Sequence, residues 1–131
     1  MIVTGDYREA LAALGWSLSD GAKFIGKEKD GQLVALAAFD NYNGTDIDVH
    51  IVCNGMTRDW IRAVCRFAFE TCGCRRMTSL NDSANFTMER YLERLGFQYE
   101  GRKRHALPDS DILIYGMTRK DCKWVGKANR E

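Results

Sequence analysis

Apolar and polar residues in this chain repeat with two different periods, and the switches between them mark out its elements. Tyr7, Ala10, Leu11 and Leu14 fall on one face of a short helix predicted over Asp6 to Leu14, with Asp6 as its cap and Gly15 as its stop. Lys23 to Lys29 and Gln32 to Phe39 read as a hairpin closed by Asp30-Gly31, a dipeptide suited to a type I′ turn. Leu33 to Phe39 is apolar on both faces and predicts a central strand. Beyond a second turn at Asn43-Gly44, Asp46 to Cys53 alternates. Ile47, Val49 and Ile51 point one way, while Asp46, Asp48 and His50 point the other.

The period then lengthens. Trp60, Ile61, Val64, Cys65 and Ala68 form one stripe of a long helix opened by Thr57, with Asp59 in its first turn and Gly73 at its end. A short strand is predicted over Arg75 to Leu80. A second helix follows, with Ser83 or Asp82 as the capping residue and Gly96-Phe97 as the stop. Phe97 to His105 and Asp111 to Met117 complete the chain as two strands around Leu107-Pro108-Asp109-Ser110. Strand-helix-strand crossovers place their strands parallel, whereas hairpins place them antiparallel, so one sheet holding all these strands must be mixed.

Composition narrows the class. The 131 residues suit one domain with one core, and 45% hydrophobic with 28% charged residues is ordinary for a globular chain. A net charge of +1 gives no general attraction to nucleic acid or anionic membrane. No apolar run approaches the ~20 residues of a membrane span. The opening MIVTGDYREA lacks the features of a signal peptide, so the expected location is cytoplasmic. Five cysteines are an odd number without framework spacing, and with only His50 and His105 beside them they suggest reduced, mostly buried thiols and no metal site.

The segment Asn81 to Arg104 carries a more specific signal. Asn85, Leu95, Gly96, Phe97, Glu100, Gly101 and Arg104 match the pattern N-x-x-S-x-x-x-x-x-K-L-G-F-x-x-E-G-x-x-R. That pattern resembles the C-terminal half of the GNAT superfamily of acyl-CoA N-acyltransferases, in the branch that acetylates ribosomal-protein N-termini. Leu107, Pro108, Asp109, Asp111, Tyr115, Gly116 and Met117 also resemble the tail of short, phage-encoded members, which would place the chain in a host's cytoplasm. The resemblance implies an α/β (α+β) fold, a GNAT-like mixed, mostly antiparallel sheet flanked by helices. The N-terminal helical region is abbreviated, and residues 1–131 form a single acyltransferase domain. It leaves the acceptor groove open, or completed by a partner such as a second copy in a homodimer.

By the same resemblance, acetyl-CoA is the co-substrate and a primary amine the acceptor: a protein N-terminus, a lysine or a small amine. Relatives bind the CoA pyrophosphate at a loop of pattern [Gln/Arg]-x-x-Gly-x-[Gly/Ala] at the start of the long helix, where free N–H groups face the anion. The stretch in that place is Cys53, Asn54, Gly55, Met56, Thr57 and Arg58, with one glycine where the family has two small residues. Cys53, Gly55, Met56, Thr57 and Arg58 are therefore the expected cofactor-binding residues, and Asn85 joins them by its match, its other reading being a hydrogen bond to the backbone at the start of its helix. Arg58, Arg62 and Arg66 share one helix face, either solvated or offering one contact to the CoA 3′-phosphate.

For the chemistry, a lysine amine is only about one part in a thousand neutral at pH 7, so a base is useful. His50 is the candidate base on pKa class, with Asp48 on the same face to orient it or act through water; the equal alternative is a half-buried strand histidine. The family's acid, a tyrosine four residues before the Gly-Phe glycine, is Leu92 here. Tyr91 is one residue and about 100° of helix away, as the candidate acid or as a packing residue. The rival reading is a GNAT-like binding or inhibitory module with weak or lost catalysis that acts on a protein partner. The degenerate loop and absent tyrosine suit it.

Overall fold

A computed structural model describes residues 1–13 and 15–126, so the expected place of Leu14 on the first helix lies outside the described residues. Seven strands form one sheet: β1 (Ile2–Val3), β2 (Lys23–Lys29), β3 (Gln32–Asp40), β4 (Asp46–Cys53), β5 (Arg76–Asp82), β6 (Gln98–Lys103) and β7 (Ile112–Thr118), in the order β1-β2-β3-β4-β5-β7-β6. Every neighbouring pair is antiparallel except β4 and β5, which are joined by a helical crossover and run parallel. This is the mixed sheet that the order of elements required. Among the described residues the α-helices are α1 (Arg8–Ala12), α2 (Arg58–Arg66) and α3 (Phe86–Leu95), and a short 3-10 turn, Arg119–Asp121, follows β7.

The hairpin turn forms as its dipeptide dictates, with Asp30 at φ 54° and Gly31 at φ 78°. The face of β4 that carries Ile47 and Val49 joins Ala35, Ala37, Phe39, Met77, Tyr115 and Met117 beneath α2 and α3 as the main core. Trp60 is the anchor: 1% exposed, its Nε1 donates to the Ile25 carbonyl at 3.0 Å and ties α2 to β2. Beyond Arg66 the helix widens into one broad turn, Phe67–Thr71, closed by a bond from the Cys72 N–H to the Phe67 carbonyl at 2.9 Å. On the opposite face of the sheet Leu11, Tyr7, Trp16 and Leu18 pack against Phe24, Leu36 and Ala38 of β2 and β3. The first helix is shorter than its periodicity suggests, which leaves the β4–β5 half of that face without a helix.

Several boundaries differ from expectation, among them the first helix, whose N-cap position is Tyr7 and not Asp6, and β6, which is shorter than Phe97 to His105. The cap of α3 is Asn85, whose Oδ1 accepts from the Met88 N–H at 3.1 Å, and not Ser83 or Asp82. The reason is that β5 runs on to Asp82, paired with Ile112 of β7. Asp82 then accepts from the Ala84 N–H and the Ser110 hydroxyl, and Ser83 Oγ accepts from the Asp111 N–H, so both are spent on the neighbouring turn. Gly96 stops α3 in the left-handed region (φ 110°), as its sequence position requires. The Glu-Gly pair of the matched motif has a structural use. A bulge in β6 between Tyr99 and Gly101 frees Glu100 to reach across Gly116 and form a forked pair with Arg76, at 2.6 and 3.3 Å. A Cβ on Gly116 would lie 2.4 Å from both side chains. No helix is long and apolar enough to cross a membrane among the described residues.

Candidate active site

The parallel ladder between β4 and β5 lasts four residue pairs, from Asp46–Arg76 to Val49–Ser79, and then stops. Both strands continue: β4 through Cys53, held by β3, and β5 through Asp82, held by β7. Their facing edges diverge and leave backbone N–H and C=O groups without strand partners. The opening is a cleft of about 350 Å³ lined by His50 to Cys53 on one side and Ser79 to Asp82 on the other. Asn85 and Met88 of α3 and Trp16 of the loop after α1 complete it. Such a cleft, with exposed strand edges for walls, suits a slender arm bearing amide groups.

His50 is the ionisable ring at the base of this cleft. It is 7% exposed and stands opposite Ala38, whose small side chain leaves room for it. The Trp16 ring lies against it at 4.5 Å, tilted by 45°. Trp16 is brought there by Asp40, which accepts bonds from the Ser19 N–H at 2.9 Å and from the Ser19 hydroxyl, pinning the loop to the sheet. His50 Nδ1 is buried without a hydrogen-bond partner. Burial lowers the His50 pKa below its usual value, and the Asp48 and Asp40 charges only partly offset this. Burial therefore favours the neutral ring, which carries one nitrogen lone pair. Asp48 lies on the same face as expected, but it accepts from Asn41 Nδ2 at 2.9 Å. Its influence on His50 is through charge.

The residues assigned to the cofactor divide in two. Cys53 and Asn85 line the cleft. Burial raises the Cys53 thiol pKa, a change opposed in part by a hydrogen bond from the Gly55 N–H. The Asn85 acceptor oxygen is taken by its capping bond, which leaves Nδ2 to donate. Gly55, Met56, Thr57 and Arg58 lie past the end of β4, around the start of α2. Gly55 has φ 141° and open space where a Cβ would stand, so it serves the turn and keeps the approach to the helix clear. Met56 packs against the core, while Arg58, Arg62 and Arg66 are exposed.

An unforeseen feature is the use of this helix start by the chain's own anion. The Asp59 Oδ1 accepts from the Trp60 N–H at 2.8 Å and from the Thr57 hydroxyl, and Lys27 Nζ pairs with Oδ2 at 2.6 Å. The Lys27 and Thr57 bonds hold the Asp59 carboxyl well below the usual range, at about 2. Tyr91 does not join the others: it lines a shallow groove with Phe86, Thr87, Arg90 and Arg94, outside the cleft. Leu92, in the position of the family tyrosine, is fully buried. Trp16, like Ser79, Asn81 and Met88, was not singled out as a cleft residue from sequence, because nothing local distinguishes a wall of a site from one more side chain beside a helix or in a strand. Among the described residues no three His, Cys, Asp or Glu side chains gather as a metal-binding group.

No family model and no curated protein matches this sequence. Solved structures do match its shape. A mutant form of the spermidine N-acetyltransferase SpeG from Vibrio cholerae superposes with a TM-score of 0.69 at 13% identity, over 84% of this chain and 70% of that one. For the ribosomal-protein-S5-alanine acetyltransferase from Vibrio fischeri the TM-score is 0.64 at 14% identity, over 80% and 64%. A protein assigned to the GNAT family from Desulfovibrio desulfuricans gives 0.62 at 19%, over 75% and 69%. At these identities the likeness is one of fold: the chain has the fold of the GNAT acetyltransferases.

Proposed function

We propose that the protein is an acyl-CoA-dependent N-acyltransferase that moves an acetyl group to a primary amine by direct attack in a ternary complex. The observation that supports this most is the cleft formed where β4 and β5 part, with a buried, unpaired imidazole nitrogen at its base. Bound acetyl-CoA supplies an acyl group activated as a thioester. The strand edges of Ile51 to Cys53 and Leu80 to Asp82 hold and orient its arm, and Asn85 Nδ2 donates to one of its oxygens. Holding amine and acyl carbon in line contributes about 7–11 kcal/mol, more than any one acid or base. As the amine nitrogen bonds the acyl carbon, the carbon–sulfur bond breaks and CoA leaves as a thiolate that takes a proton from solvent. His50 takes the proton that the amine loses, through a water or directly, and Asp48 and Asp40 stabilise the imidazolium that results. The amine arrives across the face left without a helix; a protein N-terminus, a lysine and a small amine are the acceptors in view, in the cytoplasm. The phosphates rest near Gly55 to Arg58.

The Asp59 carboxylate favours a second reading, a GNAT-fold binding module acting on a protein partner, because it puts a negative charge where phosphates would sit. One substitution probes this conflict. Asp59→Asn removes the like charge and frees Lys27, and is expected to tighten CoA binding by about threefold to tenfold at low salt, less at high salt. Calorimetric titration measures it, and an unchanged affinity would put the phosphates elsewhere. The activity itself is tested by an acetyl-transfer screen over peptides with free N-termini, lysine peptides and small diamines. Turnover with at least one acceptor class is the expected result. Tight acetyl-CoA binding without transfer to any of them leaves the binding module.

A further inference from the structure

The end of the sheet opposite the cleft carries a second cavity, of about 880 Å³, which the transferase reading does not use. Arg75, Arg76, Arg119 and Lys120 line it together with the hydroxyl-bearing Thr45 and Thr118. These residues come from three separate segments, yet the backbone fixes their spacing. The Arg75 N–H donates to the Thr45 carbonyl at 2.8 Å, and the Arg119 N–H donates to the Arg75 carbonyl at 2.8 Å. Arg76 is paired across the ladder with Thr118. Thr45, Arg75 and Arg119 thus stand side by side just beyond the ends of β4, β5 and β7, linked by these backbone bonds.

The charges here are unbalanced. Arg76 is neutralised by Glu100 at 2.6 Å and Asp46 at 3.5 Å. Asp121 is the acidic side chain in the lining, and its carboxylate accepts from the Thr118 hydroxyl at 3.0 Å. Arg75, Arg119 and Lys120 form no ion pair among the described residues, and Arg119 reaches only the Gly73 carbonyl, at 3.4 Å. Counting Arg76 with its two carboxylate partners, four cations stand against Asp46, Glu100 and Asp121, which leaves a local excess of positive charge around Arg75, Arg119 and Lys120, with the Thr45 hydroxyl beside them. Guanidinium forks beside an ammonium and a hydroxyl match the several acceptor oxygens of a phosphoryl group.

We propose that this cavity binds a compact phosphate-bearing anion, a small phosphate ester or diphosphate. A nucleic acid is disfavoured. A duplex presents a charge every ~1.7 Å and needs a long basic track, whereas here the basic surface ends at Asp121 and at the Asp46–Arg76–Glu100 cluster. The site is independent of acetyl transfer, and its test leaves that reading untouched.

The probe is inorganic pyrophosphate, titrated into the full chain and followed by amide chemical shifts. Saturable shifts at Thr45, Arg75, Arg119 and Lys120 are expected, with affinity weakened about tenfold in Arg75→Ala and in Lys120→Ala. Both side chains are exposed, so neither change threatens folding; Thr45→Val removes the hydroxyl and is expected to weaken binding less. No saturable shift, or the same shifts from sodium chloride at matched ionic strength, overturns the proposal. So does binding that centres on Thr57 to Trp60 instead. A mixed-sequence single-stranded oligonucleotide that binds more tightly than pyrophosphate, and shifts residues well beyond the cavity, overturns the compact ligand.

Discussion

His50→Gln is expected to lower kcat/KM for acetyl transfer by about a hundredfold or more, the range in which a positioned general base contributes. Acetyl-CoA affinity should stay within about twofold, because glutamine keeps the bulk against Trp16 and the strand edges that hold the arm are unchanged. The pH profile separates a base from a packing residue. With the ring pKa lowered by burial, the acid limb of the wild-type profile lies below the ordinary histidine range, while ionisation of the acceptor amine raises the rate toward alkaline pH. The variant should lose the acid limb and keep the alkaline rise. Turnover unaltered between about pH 6 and 9 removes His50 from the proton path. Stability offers a second reading of the same ring. Its folded pKa is below the unfolded value, so between the two the unfolded chain binds more protons, and stability rises with pH. The contribution is complete above about pH 6.5 and is lost as pH falls toward the folded pKa, with a slope of at most about 1.4 kcal/mol per pH unit. His50→Gln should flatten that part of a melting-temperature profile.

Trp60→Ala should have the largest effect on folding. The side chain is 1% exposed, fills the space between α2 and the sheet, and donates to the Ile25 carbonyl. Truncating a buried aromatic of this size costs about 3–5 kcal/mol, to which an orphaned carbonyl adds. A domain of ordinary stability has only 5–15 kcal/mol in total, so a fall in melting temperature of about 10–20 °C is expected. Trp60→Phe keeps most of the packing and loses the bond, and should cost about 1–2 kcal/mol. A melting temperature within a few degrees of wild type for the alanine variant would show that α2 is held by other contacts. Function is coupled to this anchor, because α2 carries the helix start beside the mouth of the cleft.

What the sequence made legible was whatever depends on neighbours along the chain. The β2–β3 turn at Asp30-Gly31, the alternation of β4 and the Gly96 stop of α3 all formed where their residues placed them. Features that depend on distant partners were hidden. The α3 cap passed to Asn85 because β7 extends β5 and the 110–111 turn occupies Asp82 and Ser83. Two-residue β1 is too short to show a period, and the broad turn at Phe67–Thr71 leaves no mark on the apolar stripe. The same division runs through the site. His50 and Cys53 came together because both sit on β4, one edge of the splay, and Asn85 joins them because α3 starts just past the end of β5, the other edge. Trp16 reached the cleft through a bond from its loop to Asp40, at the far end of the β2–β3 hairpin, and Tyr91 lines a groove outside the cleft. Asp59 reads in sequence as a residue favourable to a helix dipole; only its fold-made partner Lys27 reveals how firmly it is held.

The central claim is that the gap between β4 and β5 receives the thioester arm of acetyl-CoA. An acetyl-CoA titration followed by backbone amide shifts and the Trp16 indole signal addresses it directly. Saturable changes at Ile51, Val52, Cys53, Leu80 and Asn85, with none at Tyr91 or at Arg75 and Arg119, are the predicted result. No binding at millimolar acetyl-CoA, or changes confined to another part of the surface, would contradict it.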